Sequence, residues 1–375
     1  MFRRSLLAGV AFSLLTTLFL RVSVHADTAL PVPAPAIPRY TVTDLGALEG
    51  DGFSGAYALN DNGQVVGWSG TSYDLMGLRH TRAFLWQGER MQEIALPPTA
   101  PHPAAYRINN KGQVLIKAVM LLNGFFSGSF PDYAYVWQAG ELKTRALYGA
   151  VDFNNKGQVL THYLLRDAPK PHYVVALWQG DRQILTFEAP PGHAQGFAHA
   201  MNDNGQIVGE VVNYDDQDGH VGKITDQQGF LYRDGKVSVL EVPADMTMSK
   251  AVAINNAGQV LIQGWSTALH RGTYSLLWQN GSLTDLDKTS AYPYLQADGL
   301  NNKGQIVGNY WTPDNIRAFL WQNGKVTDLN LLIPAHSGWQ LLAAVAINSQ
   351  GWIVGSGLHN GIERGFLLRP IAPAP

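Results

Sequence analysis

Apolar residues in this chain come in short runs punctuated by Asn, Gly and Asp, and the same order of runs returns seven times. One copy shows the unit: Ala297-Asp298-Gly299-Leu300-Asn301, Asn302-Lys303, Gly304-Gln305-Ile306-Val307-Gly308, a connection, Ala318-Phe319-Leu320-Trp321-Gln322, Asn323-Gly324, and Lys325-Val326-Thr327-Asp328-Leu329. Runs this short, bounded by turn residues, predict four β-strands, here lettered a to d. The a–b turn reads Asn-x-x-Gly. Its Asn side chain is placed to bond its own backbone two residues on, and its Gly accepts the positive φ that follows a type I turn. The turns begin at Asn60, Asn109, Asn154, Asn202, Asn255, Asn301 and Asn348, and their glycines are 49, 45, 48, 53, 46 and 47 residues apart. A period of about 40 to 50 residues built from strands is the mark of a radial propeller.

Strand c carries the strongest apolar signal. It reads Phe84-Leu85-Trp86, Tyr135-Val136-Trp137, Ala176-Leu177-Trp178, Phe230-Leu231-Tyr232, Leu276-Leu277-Trp278, Phe319-Leu320-Trp321 and Phe366-Leu367-Leu368. Neighbouring side chains on a strand point to opposite faces. Three apolar residues in a row therefore predict a strand covered on both sides, as in a blade between two blades. A ligand box built from these rings is the other reading.

The two ends of the chain predict how the ring closes. The seventh copy supplies strands a, b and c and stops at Pro370, whereas Tyr40-Thr41-Val42-Thr43-Asp44-Leu45 matches the strand d segment Val326-Thr327-Asp328-Leu329. The expectation is an all-β fold: one seven-bladed β-propeller over 40–370, its seventh blade completed by the N-terminal strand. That closure leaves no open end of the array. An open solenoid is the alternative, and it does not explain a split blade.

The unit Ala-x-x-Ile-Asn-x-x-Gly-Gln-Val-x-Gly, followed by Ala-Phe-Leu-Trp-Gln-x-Gly-x-x-Thr-Asp-Leu, resembles the HAF-repeat family, bacterial proteins taken to be extracellular. Arg317-Ala318-Phe319 and Arg82-Ala83-Phe84 stand where the family has His-Ala-Phe. The resemblance spans about 40–370 and departs most in the second and third copies, where Asp152-Phe153 replaces Ala-Ile. It implies a secreted or surface repeat protein and brings no catalytic residues with it.

The N-terminus agrees with export. Arg3 and Arg4 precede an apolar stretch from Leu6 to Leu20, and Val24-His25-Ala26 is a small-x-small cleavage site. Residues 1–26 are expected to be a signal peptide, with an uncleaved anchor as the other reading and the Arg pair admitting twin-arginine export. Residues 27–39 read as a proline-rich linker and 371–375 as a disordered tail. The chain has no cysteine, which removes disulfides and thiolate metal sites. Without the signal it carries 24 basic against 29 acidic residues, near −5, with no basic cluster, so nucleic acid is not an expected partner. A monomer with no membrane span in the mature chain is expected.

Function should lie away from the tight turns. Connections in an antiparallel blade alternate sides, so the a–b and c–d turns share one face and the longer b–c and d–a loops the other. Variable loops on a rigid scaffold are the usual home of binding. The loop-face candidates are His80, His172, His193, His220, His270, Tyr292, Tyr294, Trp311, His336 and Trp339. The histidines suit metal or acid–base work, and the aromatics suit a sugar ring or a protein partner. Asp215, Asp216 and Asp218 are calcium candidates in an acidic loop. An EF-hand frame there fails, since it places Tyr214 at the first ligand position, and no cofactor is otherwise expected. The sequence favours a secreted module that binds a glycan, matrix or protein ligand. A hydrolase or lyase with a His/Asp site on the same face is the alternative, without any Gly-x-Ser-x-Gly or His-Glu-x-x-His motif behind it. A purely structural surface protein is the third reading.

Overall fold

A computed structural model describes residues 39–371 except 74–78, 99, 101, 119–120, 123–124, 127–132, 144–146, 169–170, 216–222, 266–273 and 293. The expected signal segment, most of the linker and most of the tail therefore lie outside the described residues. Seven antiparallel blades form a ring, numbered one to seven in the order of their turns at Asn60, Asn109, Asn154, Asn202, Asn255, Asn301 and Asn348. In blade six, Leu295–Leu300, Ile306–Trp311, Ile316–Gln322 and Lys325–Asp328 pair in the order a, b, c, d. In blade seven, Trp339–Ile347, Ile353–His359 and Ile362–Pro370 are joined by the N-terminal strand Tyr40–Asp44. Its register runs from Tyr40 opposite Pro370 to Asp44 opposite Phe366. The split blade predicted from the sequence is therefore the closure. Among the described residues there is no α-helix, only two 3-10 turns, Asp287–Thr289 and Leu329–Leu331.

The core lies between blades, and strand c shows why its apolar run is unbroken. Leu276 packs with Val208 and Leu231 of blade four, while its neighbour Leu277 packs with Phe319 and Ile306 of blade six. Phe319 faces blade five and Leu320 faces blade seven, beside Leu341 and Ala344. Phe84, Phe230, Phe319 and Phe366 are almost fully buried. Each contributes about 1.5–3 kcal/mol by leaving water. The strand c aromatics are thus core and not a ligand box.

At the turn face the seven Asn-x-x-Gly turns do more than reverse the chain. Asn301 Oδ1 accepts from the backbone of Lys303 and Gln305, both at 3.0 Å. Gly304, at φ +74°, closes the turn with its N–H on the Asn301 carbonyl at 3.0 Å. The Asn301 Nδ2 then crosses to the next blade and donates to the Asn348 carbonyl at 2.8 Å. The same donation runs from Asn60 to Asn109, Asn154, Asn202, Asn255 and Asn301, at 2.8–3.3 Å, and Asn348 returns it to the Asn60 carbonyl at 3.1 Å. Seven amides form an unbroken ring of hydrogen bonds about the axis. The Asn amide donor thus serves twice: in six copies it also donates to the Gln four residues on, at 2.6–2.8 Å, and its bond to the next turn carbonyl is what couples the blades.

The b–c connections differ from expectation in one respect. Several stretches expected as long loops continue as paired strand: Val65–Tyr73 with Arg79–Gln87, Gln158–Leu165 with His172–Gln179, and Ile207–Tyr214 with Ile224–Arg233. Two antiparallel chains leaving the core go on satisfying each other's backbone groups, so the hairpin extends. Segments Leu121–Leu122 and Phe125–Phe126 form a small two-stranded hairpin of their own.

Candidate functional site

Two concavities lie at the turn face. One, of about 460 Å³, is a cleft between blades five and six lined by Gln259, Lys303, Gln305, Trp321 and Gln322. The other, of about 230 Å³, is the funnel bounded by the ring of turn Asn residues. Their amides bond one another: Asn301 Nδ2 to Gln305 Oε1 at 2.7 Å and Gln305 Nε2 to Gln322 Oε1 at 3.0 Å. The turn Asn and Gly that frame this face recur in every blade and are already paired, while Arg107 and Asp152 of the funnel belong to single copies.

Deeper along the axis the blades stop being alike. Eight residues after each turn Asn, strand b carries Trp68, Lys117, His162, Glu210, Gln263, Asn309 and Ser356, seven different residues at one equivalent position. Scaffold positions behave otherwise: four residues before each turn Asn stands Ala56, Ala105, Ala150, Ala198, Ala251, Ala297 or Ala344, each essentially buried. Three residues before the Asn, at a β-bulge, stand Tyr57, Tyr106, Val151, His199, Val252, Asp298 and Val345. At a strand rise of about 3.3 Å per residue these positions lie roughly 13 Å above the turn, toward the loop face.

Across blades two to six these residues form a polar belt. His162 sits edge-on to Phe197 and Tyr173, with centroids at 5.6 and 5.8 Å, and its Nδ1 is buried with no hydrogen-bond partner among the described residues. Burial, helped by the neighbouring His199 and the charge of Lys117, pushes its pKa down to about 4. His162 is therefore neutral at physiological pH. His199 Nε2 approaches Glu210 Oε1 at 3.5 Å, and Gln227 donates to the other Glu210 oxygen. Burial alone would raise the Glu210 pKa. The His199 and Gln227 contacts and the charge of Lys250 outweigh it and hold the carboxyl below its ordinary value. Asp298 goes the other way: burial lifts it to about 6 against the Gln296 and Gln263 amides, at 3.3 Å each, and the Lys250 charge. Lys117 lies 5.5 Å over the Tyr106 ring, which stacks on Tyr57 at 4.9 Å.

The departure in the third copy has a structural reason. Asp152 accepts from Arg107 of blade two at 3.3 Å and from the Met201 N–H of blade four at 2.9 Å, tying three blades together.

The sequence-predicted residues fall into two groups. Tyr292, Tyr294, Trp311, His336 and Trp339 gather on the loop side of blades six and seven. Tyr292 stacks on Tyr310 at 4.3 Å and belongs to the core margin. Trp339 stacks on His359 at 4.7 Å, and His359 Nδ1 meets Asp44 Oδ2 at 2.7 Å, so this pair secures the closing strand. Tyr294 and Trp311 are 46% and 45% exposed, and His336 is exposed at φ +65°. The remaining histidines are spread around the ring. His80 stacks on His102 at 5.6 Å, His172 Nε2 meets Glu188 at 3.2 Å, and His193 Nδ1 lies 3.9 Å from Asp226. Among the described residues no three His, Asp or Glu converge as metal ligands. His220, His270, Asp216 and Asp218 lie outside the described residues. Asp215 donates its N–H to the Lys223 carbonyl at 3.0 Å, and its buried Oδ1 has no partner among the described residues. Sequence reading missed Lys117, Glu210, Lys250, Gln263, Gln296, Asp298 and Asn309 as a set. Aligning the copies on the turn Asn and asking which columns fail to repeat would have found them.

No helix of the described residues is long and apolar enough to cross a membrane. No known family model and no curated protein matches the sequence. Solved structures do. The β-propeller domain of the Trilobed protease from Pyrococcus furiosus, described as an open velcro topology, aligns with a TM-score of 0.55 at 11% identity, covering 86% of this chain and all of that one. An acylaminoacyl peptidase from Pyrococcus horikoshii aligns at 0.54 and 12% identity over 84% of this chain but 52% of its own. Identity this low establishes the architecture alone, and the chain belongs with the β-propellers by fold.

Proposed function

We propose that this chain is a secreted binding module of the HAF-repeat kind, whose ligand (glycan, matrix or protein) is held on the loop side. The observation that carries this reading is the contrast between the two ends of the axis. The turn side repeats one hydrogen-bonded device seven times, whereas toward the loop side the position eight residues after each turn Asn carries a different residue in every blade. A residue needed by every blade recurs; a residue needed by one ligand does not. Exposed aromatic side chains on blade six agree with a binding surface. The test is an array of glycans and secreted proteins probed with the wild-type chain and with a variant in the belt, Lys250→Ala. Binding that weakens in the variant supports the reading. Uniform silence, or binding untouched by both belt and loop-side substitutions, overturns it. Export is tested separately by the N-terminus of the mature protein, which this reading places at Asp27.

One observation favours a second reading. Glu210 and Asp298 both lie in the belt, each near Lys250, and their pKa values are pushed in opposite directions, as where enzymes separate an acid from a base. A hydrolase using this pair would show turnover that falls with Asp298→Asn and with Glu210→Gln. Binding without turnover would exclude it.

A further inference from the structure

The face of blade six that looks toward blade seven carries a graded sequence of groups. Gln296 and Asn309 stand directly opposite each other on strands a and b, and Trp311 follows two residues on, on the same face. Tyr310, on the other face, is fully buried against blade five. Trp311 is not: it closes the register opposite Ile316 and leaves 45% of its surface in water. Tyr294, one residue before the Leu295–Tyr310 pair, is 46% exposed and held at φ +57°, a conformation that strains a side-chain-bearing residue. Strain of this kind persists where the surroundings impose it and gathers at ligand sites. Two aromatic rings are thus presented where the next pair of rings, Tyr292 on Tyr310, packs normally.

Beneath the rings the chemistry is amide. Asn309 is 7% exposed, yet its Oδ1 has no hydrogen-bond partner among the described residues. A buried acceptor left unpaired is costly. Gln296 reaches inward to Asp298. The acid that Gln296 reaches, Asp298, and the exposed Asp314 of the same hairpin give the patch no excess of positive charge to draw an anion. Flat apolar rings over hydroxyl-seeking amides, with carboxyls behind them, match a sugar: one ring face is C–H and its rim is hydroxyl.

We infer that the loop side of the junction between blades six and seven is a subsite for a neutral saccharide, with Trp311 and Tyr294 stacking on a sugar ring and Asn309 and Gln296 taking its hydroxyls. This deepens the binding reading and rests on it. Asn309 Oδ1 is the acceptor left open, and a sugar hydroxyl supplies the missing donor.

The experiment uses the mature chain against neutral gluco-, manno-, galacto- and N-acetylglucosamine oligomers, with sialylated and uronic-acid oligomers as a second arm, read by calorimetry. The expected result is binding of a neutral member. Trp311→Ala should weaken it about tenfold or more, since a buried stacking anchor carries a large share of such an interface. Leu283→Ala, an exposed apolar residue on an outer strand, should leave it unchanged. Asn309→Leu separates site from scaffold: it should weaken binding while leaving the melting temperature the same or higher, because it removes an unpaired buried acceptor. Binding of acidic oligomers only, binding unaffected by Trp311→Ala, or no sugar bound at all overturns the inference. A protein hit on the array would in each case leave the broader binding reading standing.

Discussion

Replacing Asn301 by Ala tests whether the amide ring holds the propeller together. The side chain makes four hydrogen bonds: it accepts from Lys303 and Gln305 at 3.0 Å and donates to Gln305 Oε1 at 2.7 Å and to the Asn348 carbonyl at 2.8 Å. Asn301 is 4% exposed. The Asn348 carbonyl keeps the Gly351 N–H at 3.0 Å, and the Lys303 N–H is near enough to the surface to take a water. At about 1 kcal/mol net per bond, with that partial recovery, the loss is about 3 kcal/mol. For a folded unit of some 330 residues the unfolding entropy is about 0.7 kcal/mol per kelvin, so the melting temperature should fall by about 4 °C. The control is Asn302→Ala, one residue on. It removes the Asn256 N–H contact at 2.8 Å from an exposed site and should cost under about 1 kcal/mol. Asn301→Asp is the sharper variant. It keeps the acceptor but sets a second oxygen against two acceptors, so it should be worse than Ala at pH 7 and recover in acid as the carboxyl gains a proton to donate. Denaturant unfolding of the three variants is the assay. If Asn301→Ala and Asn302→Ala are equal within about 0.5 kcal/mol, the ring is geometry without energetic weight, and the reasoning fails.

Four further outcomes follow from the same structure. With Asp298 raised to about 6, its contribution to stability is full below about pH 3.8 and is lost as pH rises through 6, so Asp298→Asn should raise the melting temperature at pH 7–8 and leave it unchanged at pH 4. His162 is lowered to about 4, so its contribution is present above pH 6.5 and lost as pH falls toward 4; His162→Gln should flatten that acid limb, and an unaltered limb would refute its burial as the cause. Deleting residues through Asp44 removes the strand paired with Ile362–Pro370 and bares Phe366 and Leu368. Light scattering should then show association, and an intact monomer with unchanged melting would mean that closure is dispensable. Gly308→Ala puts a Cβ 2.0 Å from the Gln296 carbonyl and should cost on the order of 3 kcal/mol by calorimetry, whereas a loss under 1 kcal/mol would show that strand a yields.

Much of this architecture is local and therefore legible in one dimension. Asn301 with Gly304, the apolar triplet Phe319-Leu320-Trp321 and the orphan strand Tyr40–Asp44 each carry their own chemistry, and sevenfold repetition turned weak local signals into blade count and closure. The loop face was harder to read. His80 and His172 looked like loop residues because polar side chains on a hairpin beyond the core have no apolar partner to betray the strand. Tyr292, Tyr294, Trp311 and Trp339 are alike as letters. Burial by Tyr310 and stacking on His359 separate the packed pair from the exposed pair.

Sequence by itself thus determined the unit, the number of blades and how the ring is sealed, since each depends on contacts within a few residues or on a pattern that recurs. Tertiary structure decided what the units say to each other. The Asn301 donor finds a carbonyl 47 residues on, Asp152 joins Arg107 to Met201, and the charge of Lys250 acts on Glu210 and Asp298 of the two flanking blades. Such neighbours are set by curvature around an axis. No spacing along the chain encodes them, and the belt that distinguishes one face of this propeller from the other exists only once the ring has closed.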